Sequence, residues 1–239
     1  MDAWDTEAGG ARLSPYFQRY LLIDSPEVVS GELLSRPDAS HPTEEFFTSL
    51  TNEEQFAVLA WQIGLQRMIH DRLGARVSIN VHNRIVETDE SRRRFLALVA
   101  EANAPTTFEF TETYPMPPVG TSNHLLSDIR SLGHASALDD FGTGLNGMSL
   151  LTDYDFDIIK IDRSLVFDLT SRPEKRKTLR LVLEMLQVLG KDHVVEGVET
   201  EDILLILRDL GVRNFQGFHC GVPAPLSMLV APPTEGALT

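Results

Sequence analysis

At 239 residues, 42% hydrophobic and 23% charged, with 16 Gly and 13 Pro, the chain has a globular composition that excludes wholesale disorder and collagen-like repeats. Its 21 Lys+Arg against 35 Asp+Glu leave a formal charge of −14, which argues against a nucleic-acid polymer as partner, since that binding relies on phosphate neutralisation. One cysteine, Cys220, excludes an intrachain disulfide and a Cys-rich zinc site. No apolar run approaches the roughly 18 residues that span a bilayer. The acidic N-terminus is unlike a signal peptide, so a cytoplasmic protein with no membrane partner is expected.

Residues 1–14 and 231–239 read as flexible tails around one domain, 15–230. Two β-rich runs, 16–24 and 27–36, are separated by the turn signal Ser25-Pro26 and predict an antiparallel hairpin. Helical periodicity then covers 46–73 as one long helix. Strand-like 76–82, helical 91–102, strand-like 106–112 and helical 123–132 follow. After Gly133 come strands 134–141 and 156–162, separated by a Gly-rich loop. A helix over 173–189 opens on Pro173 and stops at Gly190. Strand 193–199, helix 201–210 and strand 214–220 complete an alternation that predicts an α/β fold, a TIM-like (β/α)8 barrel with one antiparallel strand.

Nearly every strand after the first carries an acidic or amide residue near its C-terminal end. These are Glu32, Asn80, Glu109, Asp139 with Asp140, Lys160 with Asp162, Glu196 with Glu199, and Gln216. In a barrel those ends converge on one mouth, where active sites sit. Alternation supports this placement: Phe108 and Phe110 share one face and Glu109 takes the other, while Asn80 opposes Ile79 and Val81. Glu32, Leu34 and Arg36 share a parity on the second strand. Strict alternation sends Asp139 and Asp140 to opposite faces, so they share a site only if the strand ends there, as Phe141-Gly142-Thr143-Gly144 allows. One lysine cannot neutralise so many carboxylates, whereas hard divalent cations can. An all-oxygen donor set suits Mg²⁺ or Mn²⁺, and a bridging carboxylate suits a two-metal site for phosphoester cleavage. The seven histidines show no metal spacing, and Arg92-Arg93-Arg94 reads as a solvated helix face.

Seven motifs occur in a recognisable order. They are Glu32-Leu33-Leu34 with Arg36, Ser78-Ile79-Asn80-Val81, Phe108-Glu109-Phe110-Thr111-Glu112-Thr113, Ala137-Leu138-Asp139-Asp140-Phe141-Gly142-Thr143-Gly144, Asp157-Ile158-Ile159-Lys160-Ile161-Asp162-Arg163-Ser164, Glu196-Gly197-Val198-Glu199-Thr200 and Gln216-Gly217-Phe218. Together they resemble the EAL-domain cyclic di-GMP phosphodiesterases over nearly the whole chain. The resemblance implies an eight-stranded barrel with one antiparallel strand, hydrolysis of cyclic di-GMP to linear diguanylate (pGpG), two Mg²⁺ or Mn²⁺ per site, and a homodimer. It implies that Glu32, Asn80, Glu109 and Asp139 hold one metal, and that Asp139, Asp140 and Glu196 serve the second. Lys160 would position or deprotonate the attacking water, Gln216 and Glu199 would orient the constellation, and Arg36, with Gln216, would contact the dinucleotide. Glu112 would brace the loop after Asp140. The chain departs from the family pattern at Leu33, Pro37, the Pro-rich stretch 114–120 and Leu145-Asn146-Gly147. The alternative readings are a non-catalytic cyclic di-GMP receptor or protein-binding barrel, and a metal-dependent barrel enzyme acting on another substrate.

Overall fold

The computed structural model describes residues 4–38, 42–111, 115–143 and 147–230. Strands β1 (Thr6–Ala8), β2 (Ala11–Arg19), β3 (Leu21–Leu22) and β4 (Ser30–Pro37) come first, followed by helices α1 (Thr43–Ser49) and α2 (Asn52–Leu73). Then come β5 (Arg76–Val81), a 3-10 turn (Asn83–Val86), α3 (Asp89–Val99), β6 (Thr106–Thr111), α4 (Val119–Ser131) and β7 (Ala135–Phe141). The chain continues through α5 (Gly147–Asp153), β8 (Ile158–Ile161), α6 (Arg163–Val166), α7 (Pro173–Val188), β9 (Asp192–Val195) and α8 (Glu201–Asp209). It closes with β10 (Asn214–Phe215), β11 (Ala224–Pro225) and α9 (Leu226–Leu229).

β4 through β10 are consecutive parallel neighbours in the order β4-β5-β6-β7-β8-β9-β10. β2 runs antiparallel to β4 at one edge, and β3 runs antiparallel to β10 at the other. Because β2 and β3 are one run interrupted only at Tyr20, these two pairings close the sheet into the expected barrel with a single reversed stave. The hairpin across Ser25-Pro26 is the β2–β4 pair, in the register Gln18↔Glu32.

The wall between barrel and helices is apolar. Phe108 and Phe110 are fully buried and meet Phe95 of α3 edge-on, at ring-centroid distances of 5.7 and 6.0 Å. The arginine run is solvated at Arg93 and Arg94, both exposed, although Arg94 also bridges to Glu53 of α2 and lies 4.1 Å from the centre of the Phe56 ring, and the half-buried Arg92 donates to the Val86 carbonyl. Among the described residues, no helix is long and apolar enough to cross a membrane.

Three expectations change. The 1–14 tail is wrong from residue 4 onward, while 231–239 lie outside the described residues. Trp4 is 1% exposed, its carbonyl accepts the Trp61 indole N–H at 3.1 Å, and β1 pairs with β2 across Gly9-Gly10. Both glycines have positive φ (56° and 74°), the conformation that a tight two-residue hairpin requires. The 46–73 helix is two helices. Leu50 is extended, and Thr51 caps α2 with a reciprocal box: Glu54 N–H donates to the Thr51 hydroxyl at 3.3 Å, and Thr51 N–H donates to the Glu54 carboxylate at 2.8 Å. Strands β9 and β10 stop at Val195 and Phe215, short of the expected 199 and 220, so Glu196 and Gln216 sit just beyond their strands.

Trp4 provides a test of the N-terminal correction. Trp4→Ala is expected to lower the free energy of urea unfolding by about 3–5 kcal/mol, the usual cost of truncating a buried large aromatic. A flexible tail would leave the midpoint unchanged.

Candidate active site

The inward positions at the C-terminal strand ends converge on Lys160 of β8, which is 2% exposed. Its ammonium contacts Glu109 of β6 at 2.7 Å, Glu196 at 2.8 Å, Asp139 of β7 at 2.9 Å and Glu32 of β4 at 3.4 Å. The second layer of contacts is made of amides. Asn80 of β5 donates to one Glu32 oxygen at 2.5 Å, and Gln216 donates to the other at 2.7 Å. The Gln216 amide nitrogen also donates to Gln18 of β2 at 3.1 Å, and Gln18 donates to the Gly221 carbonyl at 3.0 Å. Tyr20 donates its hydroxyl to Glu109 at 3.0 Å.

The Asp139–Asp140 pair reaches one mouth by a different route from the one expected. The strand does not end at Asp140 but runs on to Phe141. Between Leu138 and Phe141 its register against β8 shifts, and Asp140 takes φ = 59°. This irregularity re-aims a side chain without ending the strand, and aspartate is among the residues that tolerate the left-handed region. The Asp140 carbonyl then accepts Thr143 N–H at 3.2 Å and the Thr143 hydroxyl at 3.1 Å.

The loop carrying Glu196 is tied to Gln216 by Val198 N–H donating to the Gln216 carbonyl at 3.1 Å. Gly217 permits this approach: its φ is 155°, and a Cβ there would stand 2.3 Å from the Val198 backbone.

The charges are unbalanced. Burial alone would raise the Glu32 pKa, but Lys160 and the hydrogen bonds from Gln216 and Asn80 hold it below the usual carboxylate value. Glu109 gains less: burial, with Glu32 and Asp139 nearby, leaves it well above that value despite Lys160. Burial and the coulombic repulsion of Asp139 push Asp140 to about 6. Burial, reinforced by Asp139 and Glu32, pushes Glu196 to about 7 despite Lys160. Burial would lower Lys160, yet its four carboxylate partners hold it well above the usual lysine value.

Asp139, Asp140 and Glu196 each offer a carboxylate oxygen, and these atoms lie within 4.8 Å of one another. An all-oxygen trio in which Asp140 and Glu196 resist ionisation without a cation fits a hard divalent ion. Above it lies a cavity of about 620 Å³, lined by Glu32, Asn80, Glu109 and Asp140, with Arg36 on the β4 side and Thr43 and Phe47 of α1 opposite. That volume is in the range of small-molecule sites.

The structure therefore brings Glu32, Asn80, Glu109, Asp139, Asp140, Lys160, Glu196 and Gln216 to one mouth, with Arg36 half-buried on its wall. Glu199 does not join them: it is exposed, and within the described residues no hydrogen bond or ion pair links it to the cluster. The proposed brace Glu112, with Leu145 and Asn146, lies outside the described residues. Asp162 has a local task, capping α6 by accepting Ser164 N–H at 2.7 Å. Sequence reasoning missed Gln18 and Tyr20. Their inward parity is visible on the reversed strand, but their partners depend on how the barrel closes.

The pKa directions give a signed prediction. Folded Asp140 and Glu196 hold protons more tightly than the unfolded chain does, so protonation favours the folded state between their unfolded and folded pKa values. That stabilisation is present below the unfolded values and is lost as pH rises through about 6 and about 7. In excess chelator, the melting temperature of the wild type relative to Glu196→Gln is expected to fall as pH is raised from about 5 to about 8, the three histidines with lowered pKa values being common to both proteins. A difference that grows in favour of the wild type across this interval would contradict the assigned electrostatics.

Comparison with known proteins extends this geometry. A family model described as the EAL domain matches residues 3–223. The cyclic di-GMP phosphodiesterase RocR of Pseudomonas aeruginosa is 28% identical over 223 residues, covering 88% of this chain and 57% of RocR. The crystal structure of the EAL domain of Mycobacterium smegmatis DcpA is 27% identical with a TM-score of 0.72, covering 92% of this chain and 95% of that one. BlrP1 of Klebsiella pneumoniae, in its manganese/cyclic di-GMP complex, is 26% identical with a TM-score of 0.75, covering 89% of this chain and 56% of that one. The chain thus spans a little over half the length of RocR and of BlrP1, at 57% and 56%. With the ordered motifs at the barrel mouth and a family match across nearly its full length, the chain belongs to the EAL domain family.

Proposed function

We propose that this chain hydrolyses one phosphodiester bond of cyclic di-GMP to give linear pGpG, using Mg²⁺ or Mn²⁺ held at the barrel mouth. The observation that carries this reading is the cluster of oxygen donors at the strand ends, with Glu32, Glu109, Asp139 and Glu196 on Lys160 and Asp140 beside Asp139 and Glu196, next to a cavity of about 620 Å³ that Glu32, Glu109 and Asp140 line. Glu32, Asn80, Glu109 and Asp139 would hold one ion, and Asp139, Asp140 and Glu196 the other. Bound there, divalent cations would generate a nucleophile from water at neutral pH and offset charge on the phosphoryl oxygens.

The chain's own groups supply the rest. Lys160, ringed by four carboxylates, would position the attacking water and offset developing negative charge. Gln216 fixes Glu32, and Arg36 on the cavity wall offers a cation to the dinucleotide phosphates. Glu199, exposed and apart from the cluster, takes no part in this scheme.

The decisive experiment is incubation of purified protein with cyclic di-GMP and Mg²⁺, followed by chromatography. Linear pGpG is expected. Retention of intact nucleotide on the protein would support the receptor reading instead.

Activity is expected to vanish in excess chelator and to return with Mg²⁺ or Mn²⁺ but poorly with Ca²⁺, whose longer bonds and higher ligand number suit in-line displacement badly. Asp139→Ala should reduce turnover by more than about 100-fold, because loss of a mere supporting partner of a ligand already costs about 10–100-fold. Steady-state kinetics of the variant would check this. Half of the wild-type rate would misplace the ligand set. Lys160→Ala should lower kcat more than it raises KM, because its role belongs to the transition state. The reverse pattern would reassign it to substrate binding.

A further inference from the structure

Glu109 lies between two spaces. Above it is the mouth cavity; below it a second cavity of about 540 Å³ opens at the N-terminal end of the barrel and reaches both Glu109 and Lys160. Small side chains, Ser78, Thr107 and Ala137, line this lower space together with the larger Tyr20 and Leu22 of the reversed stave. Layers of branched side chains normally fill a barrel at this depth. The backbone of β6 is held by Phe108 and Phe110 packed on Phe95, but those contacts do not fix the torsions of the Glu109 side chain. With open space beneath it and like charges around it, this carboxylate needs support from below.

Tyr20 is placed to give that support. It sits where the reversed stave changes partners: β2 pairs with β4 as far as Arg19↔Gly31, and β3 pairs with β10 from Leu21↔Phe215. Its own N–H donates to the Ser30 carbonyl at 2.8 Å, so the residue is anchored between the two edges that close the barrel. From there its hydroxyl donates to Glu109 Oε1 at 3.0 Å, while Lys160 holds Glu109 Oε2 at 2.7 Å. A carboxylate offers about four lone-pair sites, two per oxygen. Tyr20 and Lys160 occupy one on each oxygen and leave one on each for a cation.

We propose that Tyr20 is a positioning residue for Glu109, holding this carboxylate up into the mouth so that its remaining lone pairs meet the bound divalent ion. The proposal deepens the metal-dependent reading above and rests on it. It names no contact between Tyr20 and substrate.

Tyr20→Phe keeps the ring and removes the hydroxyl. Calorimetric titration of the full chain with Mn²⁺, without nucleotide, is expected to show affinity about 10–100-fold weaker than wild type, the range for losing a group that orients a metal ligand. Wild-type Mn²⁺ affinity in Tyr20→Phe would overturn the proposal. A second measurement needs no metal. In chelator, Tyr20→Phe should lower the melting temperature in the wild-type background but not in Glu109→Ala, because the lost bond is absent there. An equal drop in both backgrounds would overturn the proposal by showing that the phenol acts elsewhere. Wild-type protein that binds no Mn²⁺ would sink the metal reading and, with it, the role assigned to Tyr20. The melting cycle would still decide whether the phenol holds Glu109.

Discussion

One buried ammonium among carboxylates sets the terms for the rest of this protein. Lys160 touches Glu32, Glu109, Asp139 and Glu196 and is still outnumbered, and burial, reinforced by the neighbouring carboxylates, pushes Glu109, Asp140 and Glu196 toward holding protons. Burying charges in this ratio is unfavourable unless geometry and hydrogen bonds compensate. The surrounding amides and hydroxyls are arranged to that end: Asn80 and Gln216 serve both oxygens of Glu32, and Tyr20 serves Glu109. The imbalance that remains is the charge that the proposed cations would offset.

Glu32, Glu109 and Asp139 are held by the strands themselves, and Glu196 by a loop that starts directly after β9. Each sits at or just beyond a strand end, and the outward neighbours of Glu109 are locked into an aromatic wall with α3. The exception is Asp140, brought in by a register shift and a left-handed backbone conformation. Such a conformation costs on the order of 1–3 kcal/mol and persists only where neighbours over-determine it. Here the Thr143 N–H and hydroxyl both bond to the Asp140 carbonyl, which fixes the turn that follows.

Closure of the barrel and construction of the site are one event. The reversed stave carries Gln18 and Tyr20 inward on the same parity, and both reach the cluster, through Gln216 and Glu109. The N-terminal hairpin is continuous with that stave. It packs Ala11 and Leu13 with Phe46, Leu50 and Val58, and Gly9 N–H donates to Glu54 at 3.2 Å, so the wall of α1 and α2 beside the cavity is tied to the same strand.

The sequence alone determined the alternation of strands and helices, the reversed hairpin across Ser25-Pro26 and the inward parity of Glu32, Asn80 and Glu109. All of these are local periodicities of two or 3.6 residues. The break between α1 and α2 was also legible, in Thr51 and Glu54 spaced three apart, and the continuous apolar period obscured it. The N-terminal hairpin carried a Gly9-Gly10 signal that its small, acidic surroundings hid. Only the tertiary structure decided that Asp139 and Asp140 share a mouth through a bulge within the strand. It also decided that Glu199 is exposed, with no hydrogen bond or ion pair to the cluster among the described residues, and that Gln18 and Tyr20 bond to Gln216 and Glu109. Each of these depends on which residue faces which across strands distant in sequence. Local patterning fixes the face a side chain takes, but register between strands is set only when the two ends of the sheet meet.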